Sequence, residues 1–78
     1  MKLGEKLTMK EITASMAGTV LNIFVSNGNQ LSLGQEAVML ESMKMEIPIE
    51  SSTEGIVKEV KVNIGDFVNE GDVLIVLE

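Results

Sequence analysis

One residue in this chain has both the type and the setting for covalent chemistry. Lys44 sits in the run Glu41-Ser42-Met43-Lys44-Met45-Glu46 and is the only basic residue between Lys10 and Lys58. A deprotonated primary amine attacks activated acyl groups and is left as a stable amide, so a singular lysine can act as a tether. Little else in the sequence could do chemical work. With no histidine and no cysteine, the usual general base, the thiolate nucleophile and the common ligands of a zinc site are all missing. Neither G-x-x-x-x-G-K-S/T nor G-x-G-x-x-G occurs, so the glycines do not form a phosphate cradle. The sequence therefore points away from catalysis and metal binding and toward an amine that is presented to other proteins.

Composition narrows the class further. At 78 residues the chain is expected to form one small domain, 1–78, which removes only about 60–65% of its unfolded surface from water and has no room for an enzyme cleft with its own cofactor pocket. Twelve acidic against six basic residues, none of them arginine, give a net charge of −6. Nucleic acid is an unsuitable partner for such a surface, since phosphate binding needs a basic face, and any charged partner surface should be basic. No apolar run approaches the ~18 residues of a membrane span, and the N-terminus lacks the apolar region of a secretory signal. A cytoplasmic location without membrane association is expected, in keeping with the absence of cysteine.

The elements that must position Lys44 follow from an internal repeat. Shifting the sequence by 37 positions lays residues 9–41 on residues 46–78 without a gap, with nine identical pairs. They include Ile12 with Ile49, Gly18 with Gly55, Val20 with Val57, Gly28 with Gly65, Gly34 with Gly71 and Glu41 with Glu78. Short valine- and isoleucine-rich runs broken by glycine read as strands, and helix is disfavoured except over residues 1–10, which could be helical or frayed. Each half is expected to turn near Gly18 or Gly55, run through a strand, pass two glycine turns and end on an apolar strand. Gly28, Gly34, Gly65 and Gly71 should supply positive φ, with Asn29, Asp66 and Asp72 beside them as turn residues. Neither half can bury enough apolar surface alone. The fold class is therefore all-β, a flattened barrel or sandwich of two small antiparallel sheets related by a pseudo-two-fold, the halves packed face to face. Val20, Val25, Leu31, Val38 and Leu40, with their partners Val57, Val62, Val68, Ile75 and Leu77, are the expected core.

Residues 42–45 lie outside both half-repeats and join them. Residues 38–41 must reverse into 46–49, with the reversal on Met43 and Lys44. Two-residue hairpins favour Asn-Gly, because their turns need positive φ and a side chain there costs on the order of 1–2 kcal/mol. A turn selected for stability alone would not carry methionine and lysine. Apolar Met43 and Met45 beside such a tip forgo burial, so a partner rather than the core is expected to use them. The plainer alternative is a solvated lysine with the methionines folded back over the barrel end as gap-fillers.

The run Glu41 to Glu46 resembles the modification hairpin of the biotinyl domain family, the biotin carboxyl carriers, and the resemblance extends over about residues 6–78. The Gly-Asp-x-Val-x-x-Gly-Asp run at Gly65 to Asp72 is similarly placed before the last strand. In detail the sequence is most similar to short free-standing bacterial biotin/lipoyl attachment proteins. Ser42 departs from the usual alanine, Met16-Ala17-Gly18 replaces a turn that often holds proline, and the gapless repeat leaves no room for a thumb insertion. The resemblance implies that Lys44 is the covalent biotin attachment site and that Met43 and Met45 are flanking recognition residues. Glu41 and Glu46 are implied as contacts for a biotin protein ligase. It also implies that the arm shuttles carboxybiotin between a biotin carboxylase and a carboxyltransferase, while the domain itself catalyses nothing. A lipoyl carrier of the same fold, with a tip like aspartate-lysine-alanine, is one alternative, and the apolar neighbours of Lys44 favour biotin. A structural module that docks a partner through its exposed methionines is the other.

Overall fold

β-Branched side chains lose rotamer freedom in a helix and pack well on a pleated surface, so short valine and isoleucine runs between glycines become strands. A computed structural model of the chain describes residues 10–78. The strands are β1 (Lys10–Thr13), β2 (Gly18–Ile23), β3 (Gln30–Leu31), β4 (Glu36–Ser42), β5 (Met45–Glu50), β6 (Gly55–Val60), β7 (Phe67–Val68) and β8 (Val73–Leu77). There is no helix among the described residues, and none is long and apolar enough to cross a membrane. Lys10 begins β1; the rest of the segment considered for helix, residues 1–9, lies outside the described residues.

Two four-stranded antiparallel sheets form, in the orders β1-β8-β6-β3 and β5-β4-β2-β7. Adding 37 to residue numbers carries β1, β2, β3 and β4 onto β5, β6, β7 and β8, so each sheet is the image of the other. The halves are not stacked as two layers, which is where the structure departs from the face-to-face expectation. Within each half successive strands alternate between sheets, so each sheet takes two strands from each half and neither half closes a core without the other. The exception to the alternation is the Met43–Lys44 turn: β4 and β5 are the only described strands adjacent in sequence that also pair.

Backbone hydrogen bonds outside the ladders repeat at the same offset. Gly28 N–H donates to Val57 O and Gly65 N–H to Val20 O, both at 2.8 Å. The glycine turns also match: Gly28, Gly34, Gly65 and Gly71 have φ between 84° and 97°. Asn29 Oδ1 accepts from Ser26 N–H, and at the equivalent place Asp66 Oδ2 accepts from Asn63 N–H, both at 2.9 Å. These acceptors satisfy backbone groups that the ladders leave unpaired in the turns.

The chain bends at residues 15–16 and 52–53, as expected near Gly18 and Gly55. The two glycines open β2 and β6, and a Cβ on them would stand 2.7 Å from Glu41 O and 2.8 Å from Glu78 O respectively. The requirement is close approach of a neighbouring strand rather than positive φ. All ten positions expected in the core are buried, Leu31, Val38, Leu40, Ile75 and Leu77 fully. Among the described residues Ser51 is the one buried polar side chain, and its hydroxyl donates to Thr53 O.

Candidate functional site

Ser42 pairs with Met45, leaving Met43 and Lys44 as a two-residue turn with φ of 53° and 66°. Positive φ at both central residues is the backbone of a type I′ turn, whose twist matches that of the strands it joins. The register that produces it is fixed from behind. Val38 and Leu40 face the core opposite Ile49 and Ile47, and a slip by one residue would turn the whole hydrophobic set outward. Packing therefore forces the turn onto two residues that gain nothing locally from adopting it.

Met43 is 91% exposed and Met45 61%. The folded-back alternative for Met43 is excluded, since the barrel covers almost none of it. Lys44 is exposed, and no carboxylate pairs with its ammonium among the described residues. Glu41 and Glu46 are exposed and directly opposite one another in the β4–β5 register, one pair in from the turn. Like charges in that relation are destabilising, so the pairing is unexplained by the strands' own stability. Lys44, Met43, Met45, Glu41 and Glu46 are thus all brought to one end of the barrel.

Two further residues join them that the sequence did not single out. Thr19 of β2 pairs with Glu41 of β4 and with Phe67 of β7. Glu46, Glu41, Thr19 and Phe67 therefore form one row across the outer face of the sheet, just below the turn. Between Ala17 and the start of β2 (Gly18 and Thr19), Glu41, Ser42, the turn residues and Phe67 lies an open groove of about 450 Å³. Phe67 is 66% exposed on a two-residue edge strand whose other residue, Val68, supplies the burial. A signal existed in the repeat, where Phe67 is matched with Gln30. No group of three or more histidine, cysteine, aspartate or glutamate residues is placed to hold a metal among the described residues.

The geometry is thus a strained two-residue turn that holds an amine between exposed apolar side chains. The family described as biotin-requiring enzyme matches residues 6–77. The chain belongs to this family. Two relatives resemble it over most of their length. The biotin/lipoyl attachment protein of Bacillus subtilis (strain 168) is 56% identical over 66 residues, 85% of this chain and 90% of that one. The biotinylated protein TB7.3 homolog of Mycobacterium leprae (strain TN) is 41% identical, with 87% of this chain and 96% of that one covered. Among solved structures, a single-chain, multi-domain long-chain acyl-CoA carboxylase superposes with a TM-score of 0.83 at 29% identity, over 97% of this chain but 8% of that one. The biotin-requiring enzyme fold is therefore found both as a short separate chain and as a small part of a large carboxylase.

Proposed function

We propose that this chain is a cytoplasmic biotin carboxyl carrier, with biotin attached through an amide to Lys44 Nζ. The observation that carries the assignment to Lys44 is its place at the tip of a left-handed two-residue turn, exposed and without an ion pair among the described residues, in a member of the biotin-requiring enzyme family. A biotin protein ligase presents an activated acyl group. That group is biotinyl-adenylate: the Lys44 amine attacks its acyl carbon once it has lost its proton, the amide C–N bond forms, the acyl–phosphate C–O bond breaks and AMP leaves. The residues fit such a group. The amine is accessible from solvent, the turn fixes its direction, and the flanking methionines offer flexible apolar contact to unlike partners in succession. Glu41 and Glu46 add negative charge for a basic ligase surface.

When bound, biotin accepts and donates a carboxyl group at a ureido nitrogen, which serves a biotin carboxylase and a carboxyltransferase in turn. The protein's part in this is not catalytic. It keeps the ring at high effective concentration near whichever partner is docked, while each docking stays weak enough to release. The similarity to a carboxylase segment supports such partners.

Intact mass after co-production with a biotin protein ligase tests the reading. Wild type should gain one biotin and Lys44→Arg none, because guanidinium stays protonated and cannot attack. Biotin on the arginine variant at Lys58 or Lys61 would overturn unique attachment. A lipoyl adduct in place of biotin would transfer the chain to the lipoyl reading.

A further inference from the structure

Two features of the site remain unexplained by folding. Phe67 is 66% exposed, where its counterpart in the repeat, Gln30, is polar. Glu41 is held opposite the like charge of Glu46. Both belong to the row Glu46-Glu41-Thr19-Phe67, and Glu41, Thr19 and Phe67 line the groove that also contains Lys44. We propose that this groove is a resting seat for the ring system carried on Lys44, a reading that rests on biotin attachment at that residue.

The chemistry of the walls suits a fused cyclic urea and thioether. A urea ring presents N–H donors, and the Glu41 carboxylate and Thr19 hydroxyl accept hydrogen bonds. A saturated thioether ring is apolar and soft, matched by the face of Phe67 and the side chain of Met43. The volume, about 450 Å³, falls in the range of small-molecule sites. Reach is sufficient. Glu41 lies three residues back along β4, about 10 Å, and β7 is two strands over from β4, again about 10 Å. The far wall is thus roughly 14 Å from the Lys44 backbone, which an extended lysine-plus-valeryl arm just spans at ordinary bond lengths.

Tethering makes weak affinity useful. Effective concentrations for short flexible tethers are on the order of millimolar, so a seat that holds the free ring with a Kd of about 1 mM is about half occupied. The arm would then divide its time between a sheltered position on its own domain and an extended one available to a partner. Donors on the ring also partly relieve the charge facing charge at Glu41 and Glu46. At the equivalent place on the other sheet, Ile56 and Gln30 replace Thr19 and Phe67, so the repeat supplies an internal control.

The test uses uniformly ¹⁵N-labelled full chain, loaded to completion as judged by intact mass, and compares amide spectra before and after loading. Loaded wild type should show shifts at Thr19 and Phe67 several-fold larger than at Ile56 and Gln30, with cross-relaxation between the Phe67 ring and the biotin ring protons. In loaded Phe67→Gln, which copies the counterpart residue, the Thr19 shift should fall to the level of Ile56. Changes confined to residues 43–45 in a chain whose mass proves biotin on Lys44 overturn the seat and leave attachment standing. Failure of the mass to show biotin on Lys44 overturns the attachment reading, and the seat with it.

Discussion

Replacing Met43-Lys44 by Asn-Gly should make the unmodified protein more stable. Both residues hold positive φ, 53° and 66°, where Cβ crowds the following carbonyl oxygen at a cost of about 1–2 kcal/mol per residue. Glycine at position 44 removes that cost and returns about 0.5–1 kcal/mol through the greater freedom of the unfolded chain. Asparagine at position 43 tolerates the left-handed region better than methionine does. Little opposes the change, since Met43 is 91% exposed and Lys44 has no ion pair to lose among the described residues. The net gain should be about 1 kcal/mol, which for a domain of this size raises Tm by about 4–8 °C. Calorimetry on the two unmodified proteins measures it, and urea unfolding should show a higher midpoint at unchanged slope. A Tm at or below that of wild type would show that Met43 and Lys44 support the barrel, and the interpretation of the turn as strained for a partner's sake would be lost. The same variant has no amine at position 44, so its extra stability would come with complete loss of biotin loading.

Three other outcomes follow from the same geometry. Met43→Asp with Met45→Ala should leave Tm nearly unchanged and depress biotin loading, because an unpaired carboxylate then meets the apolar surface a ligase offers; biotin and lipoate ligases competing for one sample, read by intact mass, would show whether lipoate rises as biotin falls. Unchanged loading in the folded variant would return the methionines to a packing role. Gly18→Ala should destabilise by about 1–3 kcal/mol through overpacking, because its Cβ would stand 2.7 Å from Glu41 O, and denaturant titration measures that loss. At equal folded fraction it should also slow loading more than Gly55→Ala, whose Cβ meets Glu78 O at the other end of the repeat; equal loading rates would mean that the position of Glu41 is unimportant to the ligase.

Much of this architecture was readable before any coordinates, for a specific reason. A gapless repeat fixes which residues are equivalent, and alternation fixes which side of a strand is buried, so Val20, Leu31, Leu40 and their partners could be assigned to the core. The exchange of strands between sheets was hidden because pairing within a half and pairing across halves bury the same side chains. The turns near Gly18 and Gly55 were legible, but the reason for glycine there was not: the contacts that require it, to Glu41 O and Glu78 O, are distant in sequence and leave no local trace. Lys44 stood out through a conflict between turn geometry and residue type, visible within a few residues. The groove did not stand out, since Phe67 reaches it only through the pairing of β2 with β7.

The site's position also explains how such a turn can be kept. Residues 42–45 have no counterpart in the repeat, and they form the one described connection that joins consecutive strands within a sheet. Everything else is held twice, once in each half, so a costly turn at the joint leaves the duplicated contacts intact. Two residues at positive φ together cost about 2–4 kcal/mol, a large share of the 5–15 kcal/mol that stabilises an ordinary domain. A flexible loop would present an amine at less cost, but a partner would then have to order it, at about 1–2 kcal/mol per residue on each encounter. On the proposed reading the chain would meet a ligase once and carboxylase partners repeatedly, and would gain by meeting that cost in folding, because the direction of the amine is already set when each partner arrives. The strain at Met43 and Lys44 would then be the ordering of the tether carried out in advance.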